Sequence, residues 1–275
     1  MNALEIKNVK KHYKDFALDD VSFVVERGTV TGLIGENGAG KSTLIKAVLG
    51  LTDHEGEILI DGRPAKDMSA DERRKIGFVL GDRSLPESLT VAEFASVLAR
   101  IYGKAWEKEA FYSFAESFGL PVKKRMGEFS TGMRAKCALA AALSHGAELL
   151  LLDEPTSGLD PVSRDDILGV LYDFMQDEKH SVLISSHITS DLEKLCDRIV
   201  FIHDGQIMLA GDKDDLLCRY SVVRGADENE LKRAVRIIRR AYGTDALIPS
   251  GDAGDDGVPA RLDDIMNFFI RGERQ

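Results

Sequence analysis

A glycine-rich stretch at residues 35–42 carries the strongest chemical signal in the sequence. It fits the pattern G-x-x-x-x-G-K-[ST], which is typical of loops that wrap phosphate groups with backbone N–H groups. An apolar strand is predicted directly before it and a helix directly after it, as such a P-loop requires. This context disfavours the alternative, a plain glycine turn with an exposed lysine. The residues predicted to hold a nucleotide here are Gly35, Asn37, Gly38, Ala39, Gly40, Lys41, Ser42 and Thr43.

The lysine and the serine near the end of this loop have separate predicted tasks. Lys41 would reach the β- and γ-phosphates of ATP, and we predict it to be catalytic. Ser42 would hold Mg²⁺ through its hydroxyl group. The N-terminus of the following helix would add its partial positive charge. The loop therefore predicts ATP and Mg²⁺ as cofactors.

Two carboxylates, Asp153 and Glu154, follow a run of four leucines at residues 149–152. In a parallel sheet the carboxyl ends of the strands line the ligand crevice. Asp153 is predicted to be the Mg²⁺-linked acid of a Walker B motif, and Glu154 to accept a proton from an attacking water. An acidic pair after a strand is by itself more often a solvated turn, but the P-loop reverses that preference.

A histidine, His187, follows another apolar strand that ends in two serines. A lone histidine in this position is usually structural. At a third strand end facing the same crevice it could instead contact the γ-phosphate as a polar sensor. Phosphoryl transfer needs positioning groups of this kind, so we predict that His187 is catalytic.

The elements that must position these residues alternate between apolar strands and amphipathic helices. Strands are predicted near residues 4–9, 21–25, 30–34, 57–60, 76–80, 149–152 and 182–185, with a hairpin over 199–210. Helices are predicted near residues 91–102, 111–118, 133–145, 161–176 and 189–195. Thr90 and Glu93 form a capping-box pattern at the start of the first of these helices. The alternation favours an α/β fold with a mostly parallel sheet and an inserted helical subdomain at about 85–146.

The net charge, the length of the apolar runs and the cysteine spacing disfavour several other classes of protein. The formal net charge of −10 disfavours a nucleic acid partner, which needs a basic surface. No apolar run approaches the roughly 20 residues of a membrane span, and the N-terminus lacks the apolar region of a signal peptide. Cys137, Cys196 and Cys218 are far apart and are predicted to be reduced structural thiols.

An ordered set of motifs over about residues 3–218 resembles the ATP-binding subunits of ABC transporters. The motifs are a tyrosine at 13, the loop at 35–42, Phe-Ser-Thr-Gly-Met at 129–133, LLLLDEPTSGLD at 149–160 and Ile-Ser-Ser-His at 184–187. The resemblance implies that Tyr13 stacks on adenine and that Asp160 lies in a loop that communicates across a dimer.

The resemblance also implies the architecture. It is that of a P-loop NTPase core with an N-terminal antiparallel β subdomain and the inserted helical subdomain. We expect an ABC-type ATPase domain over residues 1–220 and a small α+β appendage over residues 221–275. A structural role is favoured for the appendage, with regulation or a dimer contact as the alternative.

Residues 129–133 stand where this family has its signature, usually Leu-Ser-Gly-Gly-Gln. Ser130 and Gly132 retain the two positions that matter most for phosphate contact, since a small polar residue and a bare backbone at a helix N-terminus form an anion site. Thr131 and Met133 depart from the common pattern, and Met133 resembles exporter-type subunits. The resemblance implies a head-to-tail dimer in which the signature of one subunit covers the ATP of the other.

The implied function is ATP hydrolysis as the motor subunit of an ABC transporter, which powers a separately encoded integral-membrane permease, with export favoured. Such a subunit would be cytoplasmic, peripheral at the membrane, and either a homodimer or paired with another ATPase subunit. A soluble ABC-type ATPase outside transport is the alternative, although such proteins usually carry a coiled-coil insertion or two fused ATPase domains. A nucleotide-gated switch without catalysis is disfavoured by Glu154 and His187.

One expected side chain is missing from this pattern. The predicted strand at 76–80 leads into the position of the family's Q-loop, whose glutamine contacts Mg²⁺ or the attacking water. Gly81 occupies the glutamine position, and Asp82 follows it. Asp82 is a candidate metal ligand because a carboxylate suits Mg²⁺. The alternative, slightly favoured, is a loop that transmits motion only, with the metal held by Ser42 and Asp153.

Overall fold

Strands and helices alternate along the computed structural model, which describes residues 1–81, 85–254 and 257–274. The strands are β1 (Asn2–His12), β2 (Ala17–Glu26), β3 (Val30–Ile34), β4 (Glu55–Ile60), β5 (Arg63–Pro64), β6 (Ile76–Leu80), β7 (Leu149–Asp153), β8 (Ser181–Ser186), β9 (Arg198–His203), β10 (Gln206–Asp212), β11 (Tyr220–Val223), β12 (Arg236–Arg240), β13 (Gly243–Pro249), β14 (Val258–Pro259) and β15 (Glu273–Arg274). The helices are α1 (Lys41–Val48), α2 (Ala70–Arg73), α3 (Val91–Tyr102), α4 (Lys108–Ser117), α5 (Thr131–Leu143), α6 (Pro161–Phe174), α7 (Thr189–Leu195), α8 (Lys213–Arg219), α9 (Glu228–Leu231) and α10 (Leu262–Arg271).

The first sheet is antiparallel and has the strand order β2-β1-β4-β5. Its buried side chains, among them Leu4, Ile6 and Val21, share one core with Leu44 and Ile45 of α1. The sheet therefore covers the helix that follows the P-loop. It corresponds to the antiparallel β subdomain that the sequence predicts.

The central sheet has six strands in the order β10-β9-β3-β8-β7-β6. The strands from β9 to β6 are parallel, and β10 pairs antiparallel with β9. Every residue of β3, β7 and β8 is buried, which explains why apolar residues predominate in all three strands. The carboxyl ends of these strands adjoin, since Ile34 pairs with Ser186 and Asp153 with Ser185. The predicted α/β fold with a mostly parallel sheet is confirmed.

Helices α3, α4 and α5 form the predicted helical insertion. The N–H of Glu93 donates to Thr90 Oγ1 at 3.2 Å, and the N–H of Thr90 donates to Glu93 Oε2 at 2.8 Å, so the predicted capping box is confirmed. Helix α5 begins at Thr131, two residues before the predicted start, because the side chain of Ser130 accepts from the N–H of Met133 and caps the first turn. Within the described ranges, no helix is long and apolar enough to span a bilayer.

A third sheet lies at the C-terminal end and has the antiparallel order β14-β11-β13-β12-β15. Helix α10 connects this region to the ATPase core: Leu262 belongs to the largest buried cluster, and the rings of Phe269 and Phe201 lie 6.3 Å apart. The predicted α+β character of this segment is confirmed. A domain boundary between residues 220 and 221 stays a prediction.

The three cysteines are free thiols. Cys137 and Cys196 are buried, whereas Cys218 is exposed. Burial raises the pKa of Cys137 to about 12 and also raises the pKa of Cys196. Both buried thiols therefore stay protonated at neutral pH and behave as apolar core groups.

Candidate nucleotide-binding and catalytic site

The P-loop connects the end of β3 to the start of α1 and adopts a backbone that requires glycine. Gly40 has a φ of 112°, and a Cβ atom there would lie 2.6 Å from Leu18 and 2.8 Å from Phe16. Helix α1 begins at the next residue without a side-chain cap. Its first N–H groups are thus available to an anion, which is how helix N-termini bind phosphate.

A cleft of about 320 Å³ opens in front of this loop. Its lining residues are Phe16, Glu36, Asn37, Gly38, Gly40, Lys41, Ser42, Thr43 and Glu154. Most of the residues predicted to hold the nucleotide thus share one cavity. Gly35 and Ala39 are buried and do not line it. Phe16 forms an aromatic wall of the cleft that no motif in the sequence predicted.

The Lys41 ammonium group is buried at the floor of the cleft, where 5% of the side chain is exposed. Its Nζ donates to the carbonyl of Gly35 at 2.6 Å and to that of Glu36 at 3.1 Å. It also lies 3.1 Å from Glu154 Oε1, an ion pair that is not aligned as a hydrogen bond. The positive charge is therefore held beside the P-loop by three oxygen atoms.

Glu154 is held in a left-handed backbone conformation, with a φ of 51°. Such a conformation in a residue other than glycine costs about 1–3 kcal/mol and persists where the surroundings fix it. The N–H of Glu154 lies 3.0 Å from Ser185 Oγ and 3.2 Å from Ser185 O. Its carboxylate bridges two predicted catalytic residues, since Oε2 lies 2.7 Å from His187 Nδ1 and Oε1 pairs with Lys41.

Asp153 lies beneath this cluster with 7% of its surface exposed. The hydroxyl of Ser185 donates to Asp153 Oδ1 at 2.7 Å, and among the described residues no cationic side chain pairs with this carboxylate. A buried carboxylate without a cation is costly, so a bound metal ion would stabilise it. Its oxygen atoms and the Ser42 hydroxyl in the adjacent cleft are the ligand type that Mg²⁺ prefers.

The contribution of Ser185 was missed at the sequence level. It accepts from the N–H of Glu154 and donates to Asp153, so one hydroxyl links both acidic residues. The available signal was the pair of serines that directly follows three apolar residues and ends β8. Fully buried serines at a strand end require partners, and strand pairing places Ser185 beside Asp153.

The signature residues and Asp160 form a second cluster. Ser130 caps α5, and a Cβ atom on Gly132 would lie 2.7 Å from the hydroxyl of Ser163, so α5 begins directly against α6. The N–H of Ser163 donates to Asp160 Oδ1 at 3.0 Å and lowers the pKa of that carboxyl group. Ser130, Gly132 and Asp160 do not line the P-loop cleft.

Tyr13 lies in the turn between β1 and β2, and half of it is exposed. Its hydroxyl is 3.4 Å from that of Thr52, and the Lys11 ammonium lies 5.4 Å from the centre of its ring. Tyr13 does not line the cleft, whereas Phe16 does. The carbonyl of Phe16 accepts from the N–H of Tyr13 at 2.7 Å, so the two aromatics belong to one tight turn.

The candidate metal ligand Asp82 lies outside the described residues, and its role stays a prediction. The preceding Gly81 has a φ of 53°, and its N–H donates to the carbonyl of Asp153 at 3.4 Å. The strand that leads to the predicted Q-loop therefore ends directly beside the acidic pair.

A comparison with known protein families shows to which family the chain belongs. A family model described as ABC transporter matches residues 18–157. The chain belongs to the ABC transporter ATP-binding family. It is an ATP-binding subunit with ATPase activity, and its core has the P-loop NTPase fold.

Known relatives and solved structures cover most of this ABC subunit. It is 34% identical to the ABC transporter ATP-binding protein NatA of Bacillus subtilis over 78% of this chain and 87% of that protein. It is 34% identical to Nod factor export ATP-binding protein I of Rhizobium sp. strain N33 over 85% of this chain and 80% of that protein. A solved ATP-binding subunit of an ABC transporter is 32% identical, with a TM-score of 0.69 over 78% of this chain and 91% of that one. The dimeric cassette MJ0796 bound to ADP and phosphate is 25% identical, with a TM-score of 0.67 over 76% of this chain and 98% of that one.

Proposed function

We propose that this ABC subunit is the motor of an exporter: it hydrolyses ATP in a dimer and powers a separate membrane permease. One observation carries the proposal. The Glu154 carboxylate lines the phosphate cleft, where its Oε1 lies 3.1 Å from Lys41 Nζ and its Oε2 lies 2.7 Å from His187 Nδ1. A binding switch without catalysis would not need a general base and a polar sensor in that position.

The residues at the phosphate cleft are suited to ATP hydrolysis. Phosphate entering the cleft competes with Glu154 for the Lys41 ammonium, so nucleotide binding frees one oxygen of the Glu154 carboxylate. That carboxylate is then the base that takes a proton from the attacking water, and His187 holds its other oxygen. Ser42 and Asp153 are the residues that would hold Mg²⁺, which supplies charge neutralisation at the phosphates when bound.

The position of the signature supports pairing of two subunits. Ser130, Gly132 and Asp160 lie outside the cleft that contains Lys41, so within one chain the phosphate site lacks these groups. Head-to-tail pairing, in a homodimer or with another ATPase subunit, would bring the signature of one chain to the cleft of its partner. The similar cassette MJ0796 is dimeric in the structure that contains ADP and phosphate, which supports this arrangement.

An apolar groove supports docking of the permease. Its lining includes Leu49, Met68, Phe78 and Tyr102, where the β subdomain, α1 and the end of α3 meet. Phe78 lies on the edge strand β6 and is 43% exposed, so its ring adds apolar surface to the groove. The direction of transport is inferred from Met133 and from relatives whose names include Nod factor export and linearmycin resistance.

Replacing Lys41 with alanine should weaken ATP binding about 10- to 100-fold, because charge-assisted hydrogen bonds to the phosphates are lost. Isothermal titration with ATP and Mg²⁺ measures the change. Lys46→Ala is the matched control, since Lys46 lies in the last turn of the same helix and outside the cleft. Near-normal affinity of Lys41→Ala would count against the assignment of the P-loop.

Replacing Phe78 with glutamate should reduce recovery of the permease at least about tenfold, because a charge enters the apolar groove. The measurement is affinity purification of the tagged subunit from detergent-solubilised membranes, with mass spectrometry of co-purified proteins that have several predicted spans. Tyr172→Glu on α6 is the control, an equally disruptive change at another exposed aromatic. Failure of the unaltered chain to retain any such protein would favour the alternative, an ABC-type ATPase outside transport.

A further inference from the structure

Glu154 and His187, the proposed general base and polar sensor, lie on different loops that are 33 residues apart in sequence. The strands that carry them, β7 and β8, are paired as far as Asp153 and Ser185. Beyond that point the N–H of Glu154 still bonds to Ser185, but the strand pairing does not extend to His187. The distance of 2.7 Å between Glu154 Oε2 and His187 Nδ1 therefore depends on other contacts.

One buried hydrogen bond bridges the two loops just beyond the catalytic pair. Asp191 lies four residues after His187, on the first turn of α7, and Thr156 lies two residues after Glu154. The Thr156 hydroxyl donates to Asp191 Oδ2 at 2.8 Å. Asp191 is 2% exposed and Thr156 is fully buried, so water does not compete for either group.

A cation on a third element faces the same carboxylate. Arg164 extends from α6, and its Nε lies 3.7 Å from Asp191 Oδ2 without an aligned hydrogen bond. The ion pair reduces the cost of burying Asp191, while the hydrogen bond to Thr156 sets its direction. Asp191 thus joins the loop after β7, helix α6 and helix α7 at one point.

The opposite side of α7 is fixed by α10. The Thr189 hydroxyl donates to Asp263 Oδ1 at 3.2 Å, and the N–H of Leu262 donates to Glu193 Oε1 at 2.8 Å. Contacts at both ends of α7 thus hold it against the C-terminal region. Because the helix is held from outside, the bond between Asp191 and Thr156 sets how closely its first turn approaches the loop of Glu154.

We propose that Asp191 and Thr156 are positioning residues that hold His187 against Glu154. The inference rests on the proposed function, since it assigns no chemistry to the pair beyond the placement of those two groups. A misplacement of about 1 Å in a catalytic group can cost on the order of 100-fold in rate. Loss of the pair should therefore lower kcat and leave the P-loop, and with it ATP affinity, unchanged.

Thr156→Val removes the hydroxyl while retaining the shape of the side chain, and Thr156→Ser retains the hydroxyl. We expect Thr156→Val to lower kcat about 10- to 100-fold with the ATP dissociation constant within about twofold, and Thr156→Ser to keep kcat within about threefold. Both constants are measured on the full chain, with thermal unfolding to verify folding. If Thr156→Val does not fold, Thr156→Ala decides, because it also removes the hydroxyl that donates to Asp191: a fall in kcat at constant ATP affinity is expected.

Three outcomes would overturn the inference. They are a normal kcat in Thr156→Val, an equal proportional loss of kcat and ATP affinity, and a normal kcat in Thr156→Ala where that variant decides. Glu154→Gln, measured in parallel, separates this failure from failure of the proposed function. If Glu154→Gln loses turnover and Thr156→Val keeps it, only the positioning role of Thr156 and Asp191 is wrong. If Glu154→Gln keeps turnover, the catalytic role of Glu154 is wrong.

Discussion

Glu154→Gln is expected to lower steady-state ATP turnover at least about 100-fold, the usual contribution of a general base. Glutamine has nearly the same shape and can still accept a hydrogen bond from His187, but it cannot take a proton from water. It also removes the negative charge 3.1 Å from Lys41 Nζ, so ATP affinity should be retained or increased. With ATP bound and not hydrolysed, the variant should accumulate as a closed dimer.

Turnover and nucleotide affinity of Glu154→Gln are measured on the same preparation. The matched control is Glu36→Gln, because Glu36 also lines the cleft but contacts Lys41 through its backbone carbonyl rather than its carboxylate. This control should keep turnover within about threefold, since no predicted proton transfer involves that carboxylate. Unchanged turnover in Glu154→Gln would remove Glu154 from the catalytic role.

Ser130→Arg is expected to leave ATP binding by the isolated chain intact and to lower turnover by about 100-fold, as expected when a preorganised phosphate contact is lost. Ser130 is exposed at the start of α5 and lies outside its own P-loop cleft, so a large side chain there does not obstruct the nucleotide in the same chain. In a head-to-tail pair the arginine would instead enter the phosphate site of the partner.

The decisive measurement is the oligomeric state by sedimentation in the presence of ATP, with every variant also carrying Glu154→Gln. Glu154→Gln should sediment as a dimer, and the double variant with Ser130→Arg as a monomer. Ser113→Arg, on an exposed face of α4, is the control and should remain dimeric. Dimer formation by the Ser130→Arg double variant would show that the signature assignment is wrong.

Local patterns were sufficient to predict features that lie within single motifs. The P-loop, the acidic pair after β7 and the capping box at Thr90 each depend on neighbouring residues and on the end of one strand or helix. Parallel pairing then brings the ends of β3, β7 and β8 together, so the meeting of Lys41, Glu154 and His187 could be expected from the order of elements.

The remaining contacts could not be predicted because they join elements that are distant in sequence. The hydroxyls of Ser185 and Thr156 reach carboxylates 32 and 35 residues away, and neither partner stands out by type or spacing. Phe16 follows Tyr13 in a turn whose backbone geometry decides which aromatic faces the cleft. Strand order in the C-terminal sheet likewise depends on non-local pairing of short segments, which carry little periodic signal.

Whether ATP is hydrolysed at a site shared by two subunits is tested by the dependence of specific ATPase activity on protein concentration. We expect turnover per subunit of the purified chain, with ATP and Mg²⁺, to rise with protein concentration and to level off once all of the protein is dimeric. Turnover per subunit that stays constant while light scattering shows only monomer would contradict it.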